Sequence, residues 1–252
     1  MTFSEFQALK TDLLDVGKRR RVIGAAWIPL NELPRRLSEL PTKDEPFQVA
    51  GEGAEEAVEF LNSGCRRAEL ARSVELGDEQ RLLRLWEPNE FLAEMLPSLS
   101  PGEALDIACG AGREAVTLAM LGWNVTALDH LPDALLMGRQ LGEAHGVRDR
   151  ISWLCEDVAN LISPPVDLVT TFFFLDRPCL LAARQWLRPG GSLVVETFSE
   201  VNRAERGKPR REAFALKLGE LRELAGDLEI LHFSEEWRSG GNHTARLWAR
   251  SP

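Results

Sequence analysis

Up to about residue 72, short apolar runs alternate with turn-forming residues. Phe3–Leu9 predicts a short helix, and Leu13–Leu14 begin an apolar stretch that ends at Asp15–Val16. A turn-rich piece, Gly24–Pro29, precedes Asn31, a candidate cap for a helix whose Leu33, Leu37 and Leu40 recur at helical spacing before Pro41 stops it. Pro46–Ala50 predicts a short buried strand. Gly51–Glu52–Gly53 then turns into a helix over Ala54–Asn62 that Gly64 can end. Residues 66–99 look helical but weakly patterned, with a break at Pro88.

From Gly102 the rhythm becomes strand–helix–strand. Ala104–Ala108, Val125–Leu128, Ile151–Cys155, Val166–Phe173 and Ser192–Thr197 are short apolar runs that predict buried strands. Helical patterns over Glu114–Leu121, Ala134–Gly142 and Cys179–Trp186 separate them. Alternation of this kind implies an α/β fold with a mostly parallel sheet covered on both faces. Residues 199–215 are polar and read as a long loop or lid. A short helix follows at Gly219–Leu224, and Leu228–Trp237 and Thr244–Ala249 flank Gly240–Gly241–Asn242 as a closing antiparallel hairpin. This divides the chain into a small unit at 1–75, a helical connector at 76–100 and the α/β unit at 101–252.

Composition narrows the classes. The 252 residues carry a net charge of −9, most of it after residue 72, which argues against DNA as a partner and less firmly against RNA. Cys65, Cys109, Cys155 and Cys179 form no CxxC pair and no zinc motif, so no metal site is expected and the thiols suit a reducing compartment. The first residues lack a signal-peptide pattern. The longest apolar run, near Leu175, is far shorter than the roughly 20 residues that span a bilayer, so a cytoplasmic protein without membrane contact is expected.

The candidate chemistry sits at strand ends. Asp106, Ala108, Gly110 and Gly112 make a small-residue turn between the first α/β strand and its helix, where backbone N–H groups are free for a ligand. The position three after Gly112 is Ala115, not the glycine of a pyrophosphate-binding turn. Asp129 ends the second strand, where an acid can accept both hydroxyls of a ribose. Asp157 follows the third strand and can accept from an adenine amino group. Taken singly, Asp129 and Asp157 could equally be helix caps or solvated acids; together with the turn they form an adenosyl pocket.

LDIACGAGREAVTLAMLGWNVTALD, LCEDV and LRPGGSLVVETF resemble the motifs of the class I S-adenosylmethionine-dependent methyltransferases, over roughly residues 80–250. The closest flavour is the small-molecule, tellurite-resistance-like branch, in which GR follows the motif glycines. The resemblance implies a seven-stranded, Rossmann-like, mostly parallel sheet ending in an antiparallel hairpin, with S-adenosyl-L-methionine as cofactor. It places Asp106, Ala108, Gly110, Gly112 and Arg113 at the methionine end, Asp129 at the ribose, and His130, Leu131, Asp157 and Val158 around the adenine. Phe172, or its neighbour Phe173, would lie under the sulfonium, which an aromatic face attracts, since only one of two adjacent strand residues can face the site. Arg177 and Glu196 are the candidate catalytic residues on the acceptor side. The Asn/Asp-Pro-Pro-Tyr/Phe signature of amino-methylating DNA enzymes is absent: the sequence after the fourth strand is Phe172–Phe173–Phe174–Leu175.

Leu13–Val16, Gly24–Pro29 and Pro46–Gly51 resemble a rhodanese-like domain over about residues 1–75. The position matching that family's loop cysteine is Gly51, which implies a degenerate scaffold or docking surface without sulfur transfer. Cys65 is expected to be a packing residue. The reading is a methyltransferase acting on a small molecule, with possible protein docking through the first unit. The alternative is a cofactor-binding regulatory or docking protein with weak or no catalysis.

Overall fold

A computed structural model describes all residues, 1–252, and places two sheets side by side. The amino-terminal sheet is entirely parallel, in the order β2-β1-β3-β4, from β1 (Leu13–Asp15), β2 (Ala26–Trp27), β3 (Pro46–Ala50) and β4 (Arg67–Leu70). Its core gathers Leu14, Phe47, Val49, Ala57 and Leu61, the last two from helix α2 (Ala54–Ser63). Where one helix was expected after Asn31, two short 3-10 turns stand at Leu33–Arg35 and Leu37–Glu39, because Pro34 falls inside the segment.

The second sheet contains β5 (Glu103–Ile107), β6 (Asn124–Asp129), β7 (Ile151–Cys155), β8 (Val166–Phe172), β9 (Leu187–Phe198), β10 (Glu229–Trp237) and β11 (His243–Arg250). These seven strands run β10-β11-β9-β8-β5-β6-β7, parallel from β9 to β7 and antiparallel through the β10–β11 hairpin, as the hydrophobic rhythm implies. One face is covered by α4 (Arg113–Met120) and α5 (Pro132–Ala144), with α3 (Glu90–Met95) beside them. The other carries α6 (Arg177–Trp186) and α8 (Glu220–Ala225).

Three expectations need correction. Residues 66–99 are not helical throughout: Arg67–Leu70 is a strand, and helix is confined to the α-helix Glu90–Met95 and a 3-10 turn at Leu96–Ser98. Only Ala68 of β4 is buried, so this edge strand carries no apolar alternation to betray it. Within the supposed loop at 199–215, Glu200–Arg206 forms α7, capped by Ser199 and stopped by Gly207 in the left-handed region. Cys65, expected to pack, is exposed.

The two sheets follow one another along the chain, but the elements that support them interlock. Helix α1 (Phe3–Gln7), the first element of the chain, sends Phe6 into the core of the second sheet alongside Trp86, Phe91 and Leu92. Arg113, at the start of α4, reaches back and donates to the carbonyls of Ser38 and Leu40, both at 2.8 Å.

The register between α5 and β7 depends on missing side chains. A Cβ on Gly138 would stand 2.4 Å from the Trp153 ring, and one on Gly112 would meet the same ring at 2.4 Å. Trp153 therefore lies across both glycines and locks the turn after β5 against α5. Ala normally favours a helix interior over Gly by about 1 kcal/mol. Here overpacking of a rigid indole outweighs that gain, and Gly138→Ala is expected to destabilise the fold by about 1–3 kcal/mol. Chemical denaturation decides the sign; an unchanged or raised midpoint would contradict the packing argument.

Candidate functional site

At the carboxyl ends of β5, β6 and β7 the chain turns sharply, and one side chain ties two of the turns together. The buried Asp129 carboxylate accepts from the Gly110 N–H through Oδ2 at 2.9 Å and from the Leu131 N–H through Oδ1, also at 2.9 Å. Each carboxylate oxygen can accept a further bond, so Asp129 braces the loops and keeps acceptor capacity. The turn it braces needs unusual backbone: Ala108, Gly110 and Gly112 stand at φ 55°, 53° and 75°. For Ala108 this is a strained choice that costs roughly 1–2 kcal/mol. A Cβ on Gly110 would meet nothing within 4 Å, so this part of the turn faces open space.

Beside the turn lies a cleft of about 210 Å³, lined by Ala108, Leu128, Asp129, His130, Glu156, Asp157, Val158, Phe174 and Asp176. Of the residues expected at the ends of three strands it brings together Ala108, Asp129, His130, Asp157 and Val158, while Asp106, Gly110, Gly112 and Leu131 do not line it. His130 is largely solvated, with Nδ1 3.6 Å from Asp129 Oδ1. Asp157 is exposed and caps a short 3-10 turn by accepting from the Ala159 N–H at 2.9 Å. Asp176 caps α6 through the Cys179 N–H at 2.7 Å.

Beneath the turn, Asp106 is buried, accepts from the Thr170 hydroxyl at 3.0 Å through Oδ1, and leaves Oδ2 without a partner. Burial, then the nearby Glu114 carboxylate, pushes its carboxyl well above the ordinary range. Burial raises Glu114 as well. The Cys109 thiol, buried beside these acids, is pushed far up and is no nucleophile.

Four expected site residues lie elsewhere. Arg113 spends its Nε and Nη2 donors on the Ser38 and Leu40 carbonyls, so it anchors the amino-terminal unit rather than reaching a cofactor carboxylate. Phe172 packs against the core on the α4–α5 side; Phe173 takes φ 55°, breaking the strand alternation, so that Phe174 enters the cleft instead. Arg177 holds both oxygens of Glu220 and the carbonyls of Ala213 and Ala215, fastening the segment before α8. Glu196 is buried and paired with Arg246 at 3.0 Å, and accepts from Thr244 Oγ1 at 2.7 Å and Asn89 Nδ2 at 2.9 Å. Arg177 and Glu196 are therefore committed to structure.

Sequence reasoning missed Phe174 and Asp176 in the cleft. It also missed the network beyond Glu196, in which Arg246 holds Glu90 and Glu94 of α3 at 2.8 and 3.3 Å and the Asn89 N–H donates to Glu114 at 3.0 Å. On the same sheet edge Phe173 packs against Phe198 with ring centroids 5.0 Å apart and the rings tilted by 37°.

Comparison with known proteins agrees with this geometry. Residues 104–191 match the family model described as a methyltransferase domain. The chain is 29% identical over 110 residues to a ubiquinone biosynthesis O-methyltransferase of Xylella fastidiosa (strain M23), covering 40% of this chain and 44% of that protein. It is 32% identical over 124 residues to the tRNA 5-carboxymethoxyuridine methyltransferase of Escherichia coli (strain K12), covering 46% and 47%. The chain thus spans less than half the length of these relatives. Among solved structures, TehB of Haemophilus influenzae superposes with a TM-score of 0.54 at 22% identity over 64% of this chain and 61% of that one. The N-methyltransferase NodS of Bradyrhizobium japonicum WM9 gives 0.53 at 21% identity over 65% and 93%. The second sheet and its helices have the class I S-adenosylmethionine-dependent methyltransferase fold.

The buried acid gives a pH signature with a definite sign. Because the folded-state pKa of Asp106 lies above its unfolded value, the stability it contributes is fully present at low pH and falls as pH rises through the unfolded carboxylate range near 4. The difference in melting temperature between Asp106→Asn and the parent protein, both without ligand, is expected to become more positive from pH 4 to pH 7. A difference that stays flat or declines would contradict the assignment.

Proposed function

We propose that the protein is an S-adenosyl-L-methionine-dependent methyltransferase acting on a small-molecule acceptor. The observation that carries this reading is the Asp129 carboxylate, held by the Gly110 and Leu131 N–H groups at the floor of a cleft that also contains Asp157 and Phe174. When bound, the cofactor supplies a methyl group already activated by its sulfonium. The chain's task is to hold and align.

Asp129 takes the two ribose hydroxyls with its remaining acceptor capacity. Asp157 and Val158 form the edge facing the base, with His130 and Leu131 flanking it. Gly110 lets the ligand approach the backbone closely because no Cβ stands in the way. The unpartnered Oδ2 of Asp106 suits an ammonium group at the amino-acid end, whose charge would reverse the unfavourable ionisation of this buried acid. The Phe173–Phe198 pair offers an apolar wall beyond Phe174 on the acceptor side.

With Glu196 and Arg177 committed to their own partners, the acceptor is one that needs little help with deprotonation, such as a thiol, a reduced chalcogen or an acidic hydroxyl. Orientation of its lone pair along the S–CH3 axis then supplies much of the barrier reduction. No helix is long and apolar enough to cross a membrane, and the four free cysteines suit a reducing, cytoplasmic setting.

The amino-terminal unit reads as a rhodanese-like scaffold that has lost sulfur transfer and serves for docking. Gly51, at the position of that family's cysteine, has φ 96°, and a Cβ there would sit 2.4 Å from Asp15 Oδ1. That oxygen accepts from the Gly17 N–H while Oδ2 accepts from the N–H groups of Arg21 and Val22, so the carboxylate is fixed. Gly51→Cys is accordingly expected to lower the melting temperature and to give no thiosulfate–cyanide turnover; appreciable turnover by this variant would refute the account of the loop.

Cofactor binding and turnover are tested separately. Asp129→Ala is expected to weaken S-adenosylmethionine binding by about 10- to 100-fold in calorimetry, with Asp129→Asn intermediate. Unchanged affinity in a folded variant would remove Asp129 from the site. Release of S-adenosylhomocysteine with a panel of thiols, selenite, tellurite and phenolic acids is expected from the parent protein. Tight binding without release from any of them would favour the regulatory or docking alternative.

A further inference from the structure

A second cavity, of about 310 Å³, lies where residues of the amino-terminal unit meet the end of α5, and it shares no residue with the Asp129 cleft. Trp27, Ile28, Leu83 and Leu85 give it an apolar wall. Its polar lining is unusual, because three buried nitrogens have no hydrogen-bond partner: Nε of Arg20, Nε of Arg84 and Nδ1 of His145.

All three are donors. The tautomer of His145 follows from its neighbour: the Trp86 indole can only donate, and its N–H meets His145 Nε2 at 3.2 Å. Nε2 is therefore the acceptor, and the proton of the neutral ring sits on Nδ1. The ring is neutral at physiological pH, since burial and the positive charges of Arg84 and Arg36 lower its pKa to about 4. Arg84 is buried with its guanidinium 3.8 Å above the Phe6 ring, and gives its terminal nitrogens to the Trp86 and Phe6 carbonyls and to Glu87. Arg20 donates to the Arg81 carbonyl and has no carboxylate partner.

Nothing in the lining answers these donors. The cavity's one carboxylate, Glu39, is held through both oxygens by Arg36 at 2.6 and 2.7 Å. A buried donor left unpaired keeps its full desolvation penalty, so three among the residues that line one cavity mark a place for an acceptor. A cation would meet donors and uncompensated positive charge.

We infer that this cavity binds a small organic anion, whose carboxylate accepts from His145, Arg20 and Arg84 while its apolar body lies against Trp27, Ile28, Leu83 and Leu85. Such a ligand joins residues 20–39 and 82–86 to the end of α5, so it binds the interlocked fold and not the unfolded chain. Occupancy therefore raises thermal stability.

Intact protein titrated with benzoate, inorganic phosphate and benzylamine, followed by calorimetry and thermal unfolding, tests the assignment. Benzoate is expected to saturate one site in the millimolar range or below and to raise the melting temperature, phosphate to bind more weakly, and benzylamine not to bind. His145→Phe and Arg20→Met are each expected to weaken benzoate about tenfold, the loss of one charge-assisted or buried hydrogen bond, with S-adenosylmethionine affinity unchanged. The second variant removes a partly exposed side chain, so it keeps the test available if the first fails to fold. No saturable benzoate binding, equal binding of benzylamine, or benzoate affinity untouched by Arg20→Met would overturn the proposal. Phosphate binding as tightly as benzoate would overturn its apolar half.

Discussion

The bond pair that Asp129 makes to Gly110 and Leu131 is the constraint on which the cleft depends. Parallel strands end at a common edge, and their exits would otherwise be independent loops with unsatisfied N–H groups. One buried carboxylate joins the turn after β5 to the exit of β6 and fixes both at hydrogen-bonding distance. The rest of the turn follows from it. Gly110 takes a left-handed φ with open space beside it, Ala108 tolerates the same conformation at some cost, and Trp153 closes over Gly112 and Gly138 from behind. Sequence, backbone strain and packing agree on one geometry at that edge of the sheet.

The buried charges elsewhere serve a different purpose. Glu196, Arg246, Asn89 and Thr244 form a connected group that ties α3 to β9 and β11, and Arg177 with Glu220 does the same for the segment before α8. Removing one partner of the buried Glu196–Arg246 pair strands the other and costs about 3–5 kcal/mol, so Glu196 is a poor candidate for proton transfer, while the partly exposed Arg177–Glu220 pair contributes far less. The sheet edge is thereby framed by fixed elements on both sides, with apolar rings of Phe173, Phe174 and Phe198 between them.

How much of this was legible in the sequence depends on the range of the interaction. Strands β5, β6, β8 and the second half of β9 are buried on both faces, so their continuous apolar runs announce them, and the edge strand β7 was legible from its apolar run Ile151–Cys155. The acids Asp129 and Asp157 were legible from the same runs: Asp129 is the last residue of its strand, and Asp157 stands two residues past the end of the next. Strand β4 was hidden because it is a polar edge, and α7 because Asn202 is the only residue it buries fully. The arginines were illegible, since Arg113 finds Ser38 across 75 positions and Arg177 finds Glu220 across 43, distances over which no local pattern speaks. Phe172 and Phe173 were weighed and Phe174 was not, because the strand was taken to run through Phe173, whereas it ends at Phe172 and the left-handed Phe173 carries the chain into the cleft at Phe174. The anion cavity needed side-chain positions from both units and has no sequence motif.

Each unit has its own core, but Phe6 from the start of the chain lies in that of the second sheet and Arg113 donates back to Ser38 and Leu40, so the units cannot be separated without exposing buried surface. The amino-terminal unit is thus part of the support of α4, which begins at the ligand-facing turn. The most direct measurement is a crystal structure of the intact chain grown with S-adenosylhomocysteine. The ribose hydroxyls are expected within hydrogen-bonding distance of the Asp129 oxygens, with the base beside Asp157 and Val158. Nucleoside bound away from the ends of β5 to β7, or no bound nucleoside at saturating ligand, would contradict the account.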